Sequence, residues 1–271
     1  MKTISVEHTA SFLAQAAERF TTATKAVALT GAGISVDSGI ADFRSPGGLW
    51  SVFSPDEYAT LEVFQNNPQK AWQLYREMGR SLLDKKPNHG HRLLADFEKN
   101  GLLRGVITQN VDNLHQAAGS RRVLEIHGDH QDLHCLQCGL VTPVSEEHYR
   151  VVEVPHCQTC SYPFKPNVVL FGEQVRNLHS IQELLMRCDL LLVIGTSAQV
   201  YPAAGLPELV KQQGGLVYEF NREQSLSVPG SQGSIPLSDF FFQGDLAETL
   251  PMFGEAVAAG KGYDPLQQQR G

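Results

Sequence analysis

Four cysteines stand in two tight pairs, Cys135/Cys138 and Cys157/Cys160, with 18 residues between the pairs. This C-x2-C-x18-C-x2-C spacing brings four thiolates onto one tetrahedral zinc ion, because each short turn presents two sulfurs together and the chain between them need fold back only once. Two disulfides, or four unrelated core cysteines, are the plain alternative, but unrelated cysteines do not fall by chance into two matched pairs. A zinc with four protein thiolates has no open coordination position. One structural Zn2+ per chain is therefore expected, in a small metal-clipped module, and any catalytic centre must lie elsewhere.

A chain of 271 residues suffices for one large domain, or for a large domain carrying a small insert. A formal charge of −7 disfavours binding nucleic acid through its phosphates, which needs a basic face, but leaves a basic peptide open as substrate. The longest apolar run, Leu190 to Ile194, is too short to span a bilayer, and the polar start, Met1 to Ala10, shows no targeting pattern. Four metal-spaced thiols and one lone cysteine, Cys188, suit a reducing compartment, so a cytoplasmic location is expected.

The helical spacing of Phe12, Leu13, Ala16, Ala17 and Phe20 predicts an amphipathic helix over residues 5–23. Val27 to Thr30 is a short apolar run that stops at Gly31-Ala32-Gly33. Strand, glycine turn, then helix is the opening of a nucleotide-binding α/β unit. Further buried strands are predicted at Gly105–Thr108, Val123–Ile126, Leu190–Ile194 and Leu216–Phe220, with helices such as His91–Lys99 and Ile181–Arg187 between them. This alternation predicts an α/β fold, with a mostly parallel sheet covered by helices on both faces. Residues 46–88, helical with Trp72, Leu74, Tyr75 and Met78 among the apolar positions, and residues 131–162, which carry the cysteines, interrupt the rhythm. The expected division is a discontinuous nucleotide-binding domain (1–45, 89–130 and 163–271) and a small domain made of a helical insert (46–88) and a zinc module (131–162). Ser225 to Ser238 reads as a mobile surface loop, and the residues from Gly260 as a frayed tail.

Candidate ligand groups collect where the strands end, the edge at which open α/β sheets bind ligands. Gly31-Ala32-Gly33 lets backbone approach a pyrophosphate, and the following helix N-terminus favours its charge, although Val36 stands where a third glycine is usual. Gly39 to Trp50 reads as a flap in which Phe43 screens a reactive sugar from water and Arg44 meets a phosphate or carboxylate; a surface loop with one buried aromatic is the bland alternative. Thr108-Gln109-Asn110-Val111-Asp112-Asn113-Leu114-His115 offers polar side chains for ribose hydroxyls and an amide, or else helix caps at Asn110 or Asp112. His127, after Val123–Ile126, is a candidate general base or a structural histidine. Gly195-Thr196-Ser197, Asn221 and Gly244-Asp245-Leu246 end other strands and complete the set.

The succession Gly-Ala-Gly-x-Ser, Gly-Ile-x-Asp-Phe-Arg, Thr-Gln-Asn-x-Asp-x-Leu-His, His-Gly, two cysteine pairs, Phe-Gly-Glu and Gly-Thr-Ser resembles the sirtuins, in their short bacterial or archaeal form, from about Lys25 to Leu246. The resemblance implies a Rossmann-like NAD-binding domain and an NAD-dependent protein-lysine deacylase, chiefly a deacetylase. Such an enzyme passes the acyl group to ADP-ribose, releasing nicotinamide, free lysine and O-acyl-ADP-ribose. On the same basis His127 is the base that activates a ribose hydroxyl, while Asn110 and Asp112 position the nicotinamide ribose and carboxamide. Ile40 and Phe43 surround the nicotinamide. Gly31, Ala32, Gly33, Ser35, Asp42, Arg44 and Gln109 line the rest of the NAD site, and Gly195, Thr196, Ser197, Asn221, Asp245 and Leu246 hold the adenosine half. Val168, Val169, Leu170, Phe171, Gly172 and Glu173 pair with the acyl-lysine protein or peptide as an added strand. No nucleic acid or membrane partner is implied.

Two departures qualify this. Ala41 stands where proline commonly follows Gly-Ile, which implies a looser flap. Members that remove succinyl or malonyl groups carry a Tyr-x-x-Arg pair; here Tyr75 is followed by Met78, with Arg76 and Arg80 off that spacing, so uncharged acyl groups are expected. Mono-ADP-ribosyl transfer uses the same NAD site and stays open. A hydride-transferring dehydrogenase would need the third glycine and an acidic residue closing the second strand, and a zinc-ribbon adaptor for nucleic acid is disfavoured by charge.

Overall fold

The computed structural model describes residues 1–5, 10–45, 47–230 and 233–261. The chain opens with β1 (Lys2–Ser5), α1 (Ala10–Thr22) and β2 (Ala26–Thr30), then runs through a helical excursion of α2 (Pro55–Tyr58), α3 (Leu61–Asn66) and α4 (Pro68–Leu82). It returns through α5 (His89–Lys99), β3 (Val106–Thr108), α6 (Leu114–Ala117) and β4 (Val123–Glu125). The cysteine-bearing part comprises β5 (Gly128–Cys135), β6 (Val141–Pro143), α7 (Glu146–Arg150) and β7 (Phe164–Val168). The last part holds α8 (Leu178–Leu185), β8 (Leu190–Ile194), α9 (Leu206–Gln212), β9 (Leu216–Asn221), β10 (Ser227–Gly230), β11 (Gly233–Pro236), β12 (Phe240–Gln243) and α10 (Leu246–Lys261).

Seven strands form one sheet in the order β1-β12-β9-β8-β2-β3-β4, and every pairing in it is parallel. Parallel strands are buried on both faces, and the side chains divide accordingly. On β2, Ala26 and Ala28 join a core with α1, α5 and α10, centred on Phe20, Phe97 and Phe253, whereas Val27 and Leu29 join one with α8 and α9. β8 splits the same way, Leu190, Leu192 and Ile194 against Leu191 and Val193. From β2 the chain moves outward to β3 and β4, then crosses to β8 and moves outward the other way. The reversal point lies between β2 and β8, and a crevice opens there at the strands' carboxyl ends.

A third core joins the helical excursion to the cysteine-bearing strands: Phe64, Trp72 and Tyr75 pack with Leu133, Tyr149 and Phe164. Trp72 Nε1 donates to the Phe164 carbonyl at 2.8 Å, and the Arg80 guanidinium donates to the Tyr149 carbonyl at 2.9 Å.

Four expectations need correction. The first helix begins at Ala10 rather than residue 5, residues 6–9 lying outside the described part, and β1 precedes it as an edge strand. The helix after the glycine turn is a seven-residue 3-10 segment, Ala32–Ser38, closed by a left-handed Gly39. Ser225 to Ser238 holds the antiparallel β10–β11 hairpin, and β12, at Phe240–Gln243, joins the main sheet. Helix α10 carries the chain to Lys261, past the expected start of the tail, whose remainder is outside the described residues.

Candidate active site

The carboxyl ends of β2, β3, β4, β8, β9 and β12 open onto one cleft of about 1110 Å3. Gly31, Ala32 and Gly33 after β2, Gln109 and Asn110 after β3, and His127 after β4 line it. So do Gly195, Thr196 and Ser197 after β8, Asn221 at the end of β9, and Asp245 and Leu246 after β12. Asp42, Phe43, Arg44 and all of Val168 to Glu173 contribute the remaining walls. Three residues expected at the surface of the cleft are not there. Ser35 and Asp112 stand behind Asn110, and Ile40 gives its amide to the Ser35 carbonyl.

The glycines of the turn have a reason the motif does not carry. A Cβ on Gly31 would come within 2.7 Å of the Gly195 carbonyl oxygen, and one on Gly33 within 2.7 Å of Gly195 Cα. Real Cβ atoms do not approach so closely, so two loops meet here main chain to main chain. Gly31 N–H donates to the Ile194 carbonyl and Gly33 N–H to that of Gly195, both at 2.9 Å. Those two amides are occupied, and with only a short 3-10 segment behind them the expected anion site at a helix N-terminus is reduced.

The flap is held by Asp42. Its Oδ1 accepts from the Arg44 and Ser45 amides and its Oδ2 from the Ser45 hydroxyl, at 2.6–2.9 Å. Burial pushes this carboxyl up, but the bonds from Ser45 and Arg44 outweigh it and hold the pKa below its ordinary value. Asp42 thus shapes its own loop. The Phe43 ring lies 5.0 Å from that of Trp50, whose amide donates to the Phe43 carbonyl. Pro46 lies outside the described residues.

His127 Nδ1 is 3.0 Å from the Gln109 carbonyl. A carbonyl only accepts, so Nδ1 carries the proton and Nε2 holds the lone pair. Nε2 has no hydrogen-bond partner among the described residues. Burial lowers the ring's pKa, against the Gln109 bond that raises it, so His127 is neutral and ready to accept a proton at Nε2. Asn110 Nδ2 donates to the Gly31 carbonyl and to Ser35 Oγ, and Ser35 Oγ donates to Asp112 Oδ2 at 2.6 Å. Asp112 Oδ1 accepts the amide of Leu114, the first residue of α6, at 3.0 Å.

Tyr75 and Met78 of α4 reach the same cleft from the other side. Burial, with Glu173 nearby, pushes the Tyr75 phenol well above its ordinary pKa. Arg76 turns instead to the Val152 carbonyl and Arg80 to that of Tyr149. Along the opposite wall, Val169 N–H donates to the His127 carbonyl, Phe171 N–H to that of Ala59, and Leu61 N–H to that of Phe171. Lys165, almost wholly buried, pairs with Glu173 at 3.0 Å and braces this segment from behind.

Two residues the sequence reading passed over stand out near the site, Arg222 on the cleft wall and Glu125 in β4. Glu125, two positions before His127, accepts from Asn113 Nδ2 and Gln116 Nε2. Burial pushes its carboxyl up to about 7, with Asp129 and Asp112 adding to the effect against the Gln116 bond. Its place in β4 just ahead of the histidine is the only signal in the sequence. Arg222 pairs with Asp245 at 2.7 Å, and Asp245 Oδ1 also accepts the Ala247 amide at the start of α10. Asp245, expected to hold the cofactor, lines the cleft while its two oxygens accept from Arg222 and the Ala247 amide.

The cysteines converge. Cys135 and Cys160 Sγ are 3.4 Å apart, Cys138 and Cys157 Sγ 3.5 Å, and all four lie within 4.8 Å of one another. Sulfurs around a tetrahedral zinc with bonds of about 2.3 Å are separated by roughly 3.8 Å, so the set fits the ion. Both turns have one design. Gly139 N–H donates to the Cys135 carbonyl and Ser161 N–H to that of Cys157, each from a left-handed residue. β5 runs from Gly128 to Cys135, which puts roughly 20 Å of strand between His127 and the thiolates.

The Sir2 family model matches residues 31–202. A Thermococcus kodakarensis protein named NAD-dependent protein deacylase is 41% identical, across 90% of this chain and 92% of its own. A Sulfurisphaera tokodaii protein named NAD-dependent protein deacetylase is 46% identical, across 75% of this chain and 82% of its own. A solved structure of Sir2 with p53 peptide and NAD+ matches with a TM-score of 0.78 at 32% identity, across 92% of this chain and 98% of that one. Family profile, sequence and fold agree with the cleft and the four-thiolate cluster: the chain belongs to the Sir2 family, the sirtuins.

Proposed function

We propose that this chain removes acyl groups, chiefly acetyl, from protein lysine side chains with NAD as co-substrate. The balance is acetyl-lysine, NAD and water giving lysine, nicotinamide and O-acetyl-ADP-ribose. The observation that carries this reading is the meeting of His127, Asn110, Phe43 and the Val168–Glu173 segment on one cleft, with the thiolates well removed. NAD supplies a labile ribose–nicotinamide bond. The chain's own work is then to orient the sugar, exclude water and move one proton.

In this reading Nε2 of His127 accepts the proton of a ribose hydroxyl and Nδ1 stays on Gln109. Asn110 lines the nicotinamide side directly, and Asp112 acts from behind it through Ser35. With the Gly31 and Gly33 amides occupied, the turn's contribution to the pyrophosphate narrows to Ala32, helped by Arg44. Asn221, Ser197 and Leu246 take the adenosine half. Strand addition by the acyl-peptide falls on groups other than the Phe171 amide and carbonyl and the Val169 amide, which already have partners. The solved Sir2–peptide complex supports a peptide in this role. The zinc thiolates belong to structure, and the division into a nucleotide-binding domain (1–45, 89–130, 163–271) and a small domain (46–88, 131–162) is part of the same proposal. No helix among the described residues is long and apolar enough to cross a membrane.

Mass spectrometry of an acetyl-lysine peptide, with and without NAD, tests the reading. Loss of acetyl only with NAD, one nicotinamide per acetyl, and no turnover by His127→Ala are expected. NAD consumption with the acetyl retained would move the assignment to ADP-ribosyl transfer, which would appear as added mass on an acceptor protein.

A further inference from the structure

Lys165, the second residue of β7, has a side chain only 1% exposed behind the Val168–Glu173 wall of the cleft. Its ammonium group has three protons and meets three acceptors: the Pro166 carbonyl at 3.2 Å, the Val168 carbonyl, and Glu173 Oε2 at 3.0 Å. Glu173 Oε2 also accepts the Leu170 amide at 2.8 Å, and the Glu173 amide donates to the Leu170 carbonyl at 2.9 Å. Residues 170–173 therefore form a closed turn. Gly172 stands third in it with a φ of +93°, the left-handed position that a type II turn reserves for glycine. The carboxylate that closes the turn is the one Lys165 holds, so the lysine ties the turn back to β7 at two carbonyls.

Most of the remaining main chain here is engaged too, the Val169 amide by the His127 carbonyl and both groups of Phe171 by Ala59 and Leu61. Among the described residues, the Val169 carbonyl and the amide and carbonyl of Gly172 are left without protein partners. An added strand binds such groups best when they are fixed in advance, because ordering them on binding subtracts from affinity. Stability alone does not explain the charged pair. Apolar side chains filling the same volume are often as stable as a buried ion pair, whose desolvation offsets its attraction.

We propose that Lys165 is a positioning residue for the acylated peptide: through Glu173 and the Val168 carbonyl it holds residues 168–173 in the shape that presents the Val169 carbonyl and Gly172 to an added strand. This rests on the peptide-binding role given to that segment above. The test removes both charges together, Lys165→Met with Glu173→Gln, since losing the lysine alone would strand a buried carboxylate. The glutamine still accepts the Leu170 amide, so what is lost is the hold of the lysine. Binding of an acetyl-lysine peptide is read by fluorescence anisotropy and binding of NAD by calorimetry, on the native protein and on the double variant. The peptide Kd is expected to rise about tenfold, the effect of a lost hydrogen bond to a charged group, with the Kd for NAD unchanged. A native peptide Kd in the folded variant overturns the role of Lys165. So does an equal loss of affinity for both ligands, which would mean general loosening. A native protein that binds NAD but no acetyl-peptide overturns the assignment of the segment itself. If the double variant does not fold, amide exchange in the native protein without peptide decides: slow exchange at Leu170 and Glu173 beside fast exchange at Gly172 is required, and fast exchange at all three overturns the proposal.

Discussion

His127 carries its proton on the wall side and its lone pair at Nε2 because one backbone carbonyl, that of Gln109, accepts from Nδ1. Burial lowers its pKa, so the active neutral form persists below the ordinary histidine value of about 6.5. Deacetylation measured as kcat/KM against pH is expected to rise with pH through that lowered pKa and to be level by neutrality; a limb still climbing above pH about 7.5 would contradict it. His127→Ala should lose about 100- to 10,000-fold in turnover while still binding NAD. The expected preference for uncharged acyl groups rests on two arginines that are engaged elsewhere. Arg76 and Arg80 are committed to the Val152 and Tyr149 carbonyls, and Met78 presents no charge to the cleft. An acetylated peptide should therefore turn over faster than the same peptide succinylated, and equal rates would sink this reading.

Among the elements, the zinc module has the most direct test. Structural zinc contributes on the order of 10 kcal/mol to small folds, and Cys135 ends the strand that begins beside His127. Cys135→Ala, or a strong chelator, is expected to release the metal, lower the melting temperature and reduce turnover; unchanged metal content and melting would refute a structural role. The cysteine pairs could be read from spacing because their partners are close in sequence. β8 could be read end to end because a strand buried on both faces is a continuous Leu/Val/Ile run. β1 was missed as a four-residue edge strand, Lys-Thr-Ile-Ser, and the β10–β11 hairpin because its Ser, Pro and Gly residues read as a loop. The site's residues were legible as motifs, but their layering was not. That Ser35 and Asp112 stand behind Asn110, and that Asp245 answers to Arg222, depends on contacts between distant segments.

For the molecule as a whole, buried histidines set the response to acid. Burial holds His91 and His130 at about 4 and His115 at about 3, so the folded protein leaves them neutral where the unfolded chain takes up protons. Stability is then complete above pH about 6.5 and falls as pH drops towards 4. Glu125 opposes this, because a carboxyl raised to about 7 gives stability that is full below its unfolded value of 4.5 and is lost as pH rises through 7. One group against three leaves the histidines dominant, and thermal melts should show a falling midpoint from pH 7 to pH 5; a flat or rising midpoint would contradict this. The sheet's two outward-running halves meet where Gly31, Gly33 and Gly195 abut. A Cβ at any of these glycines would wedge β2 from β8, whereas the rim built from the flap, α4 and the Val168–Glu173 segment is lined mostly by side chains. Sequence drift can re-aim such an enzyme at new acylated proteins while the dinucleotide it consumes stays the same.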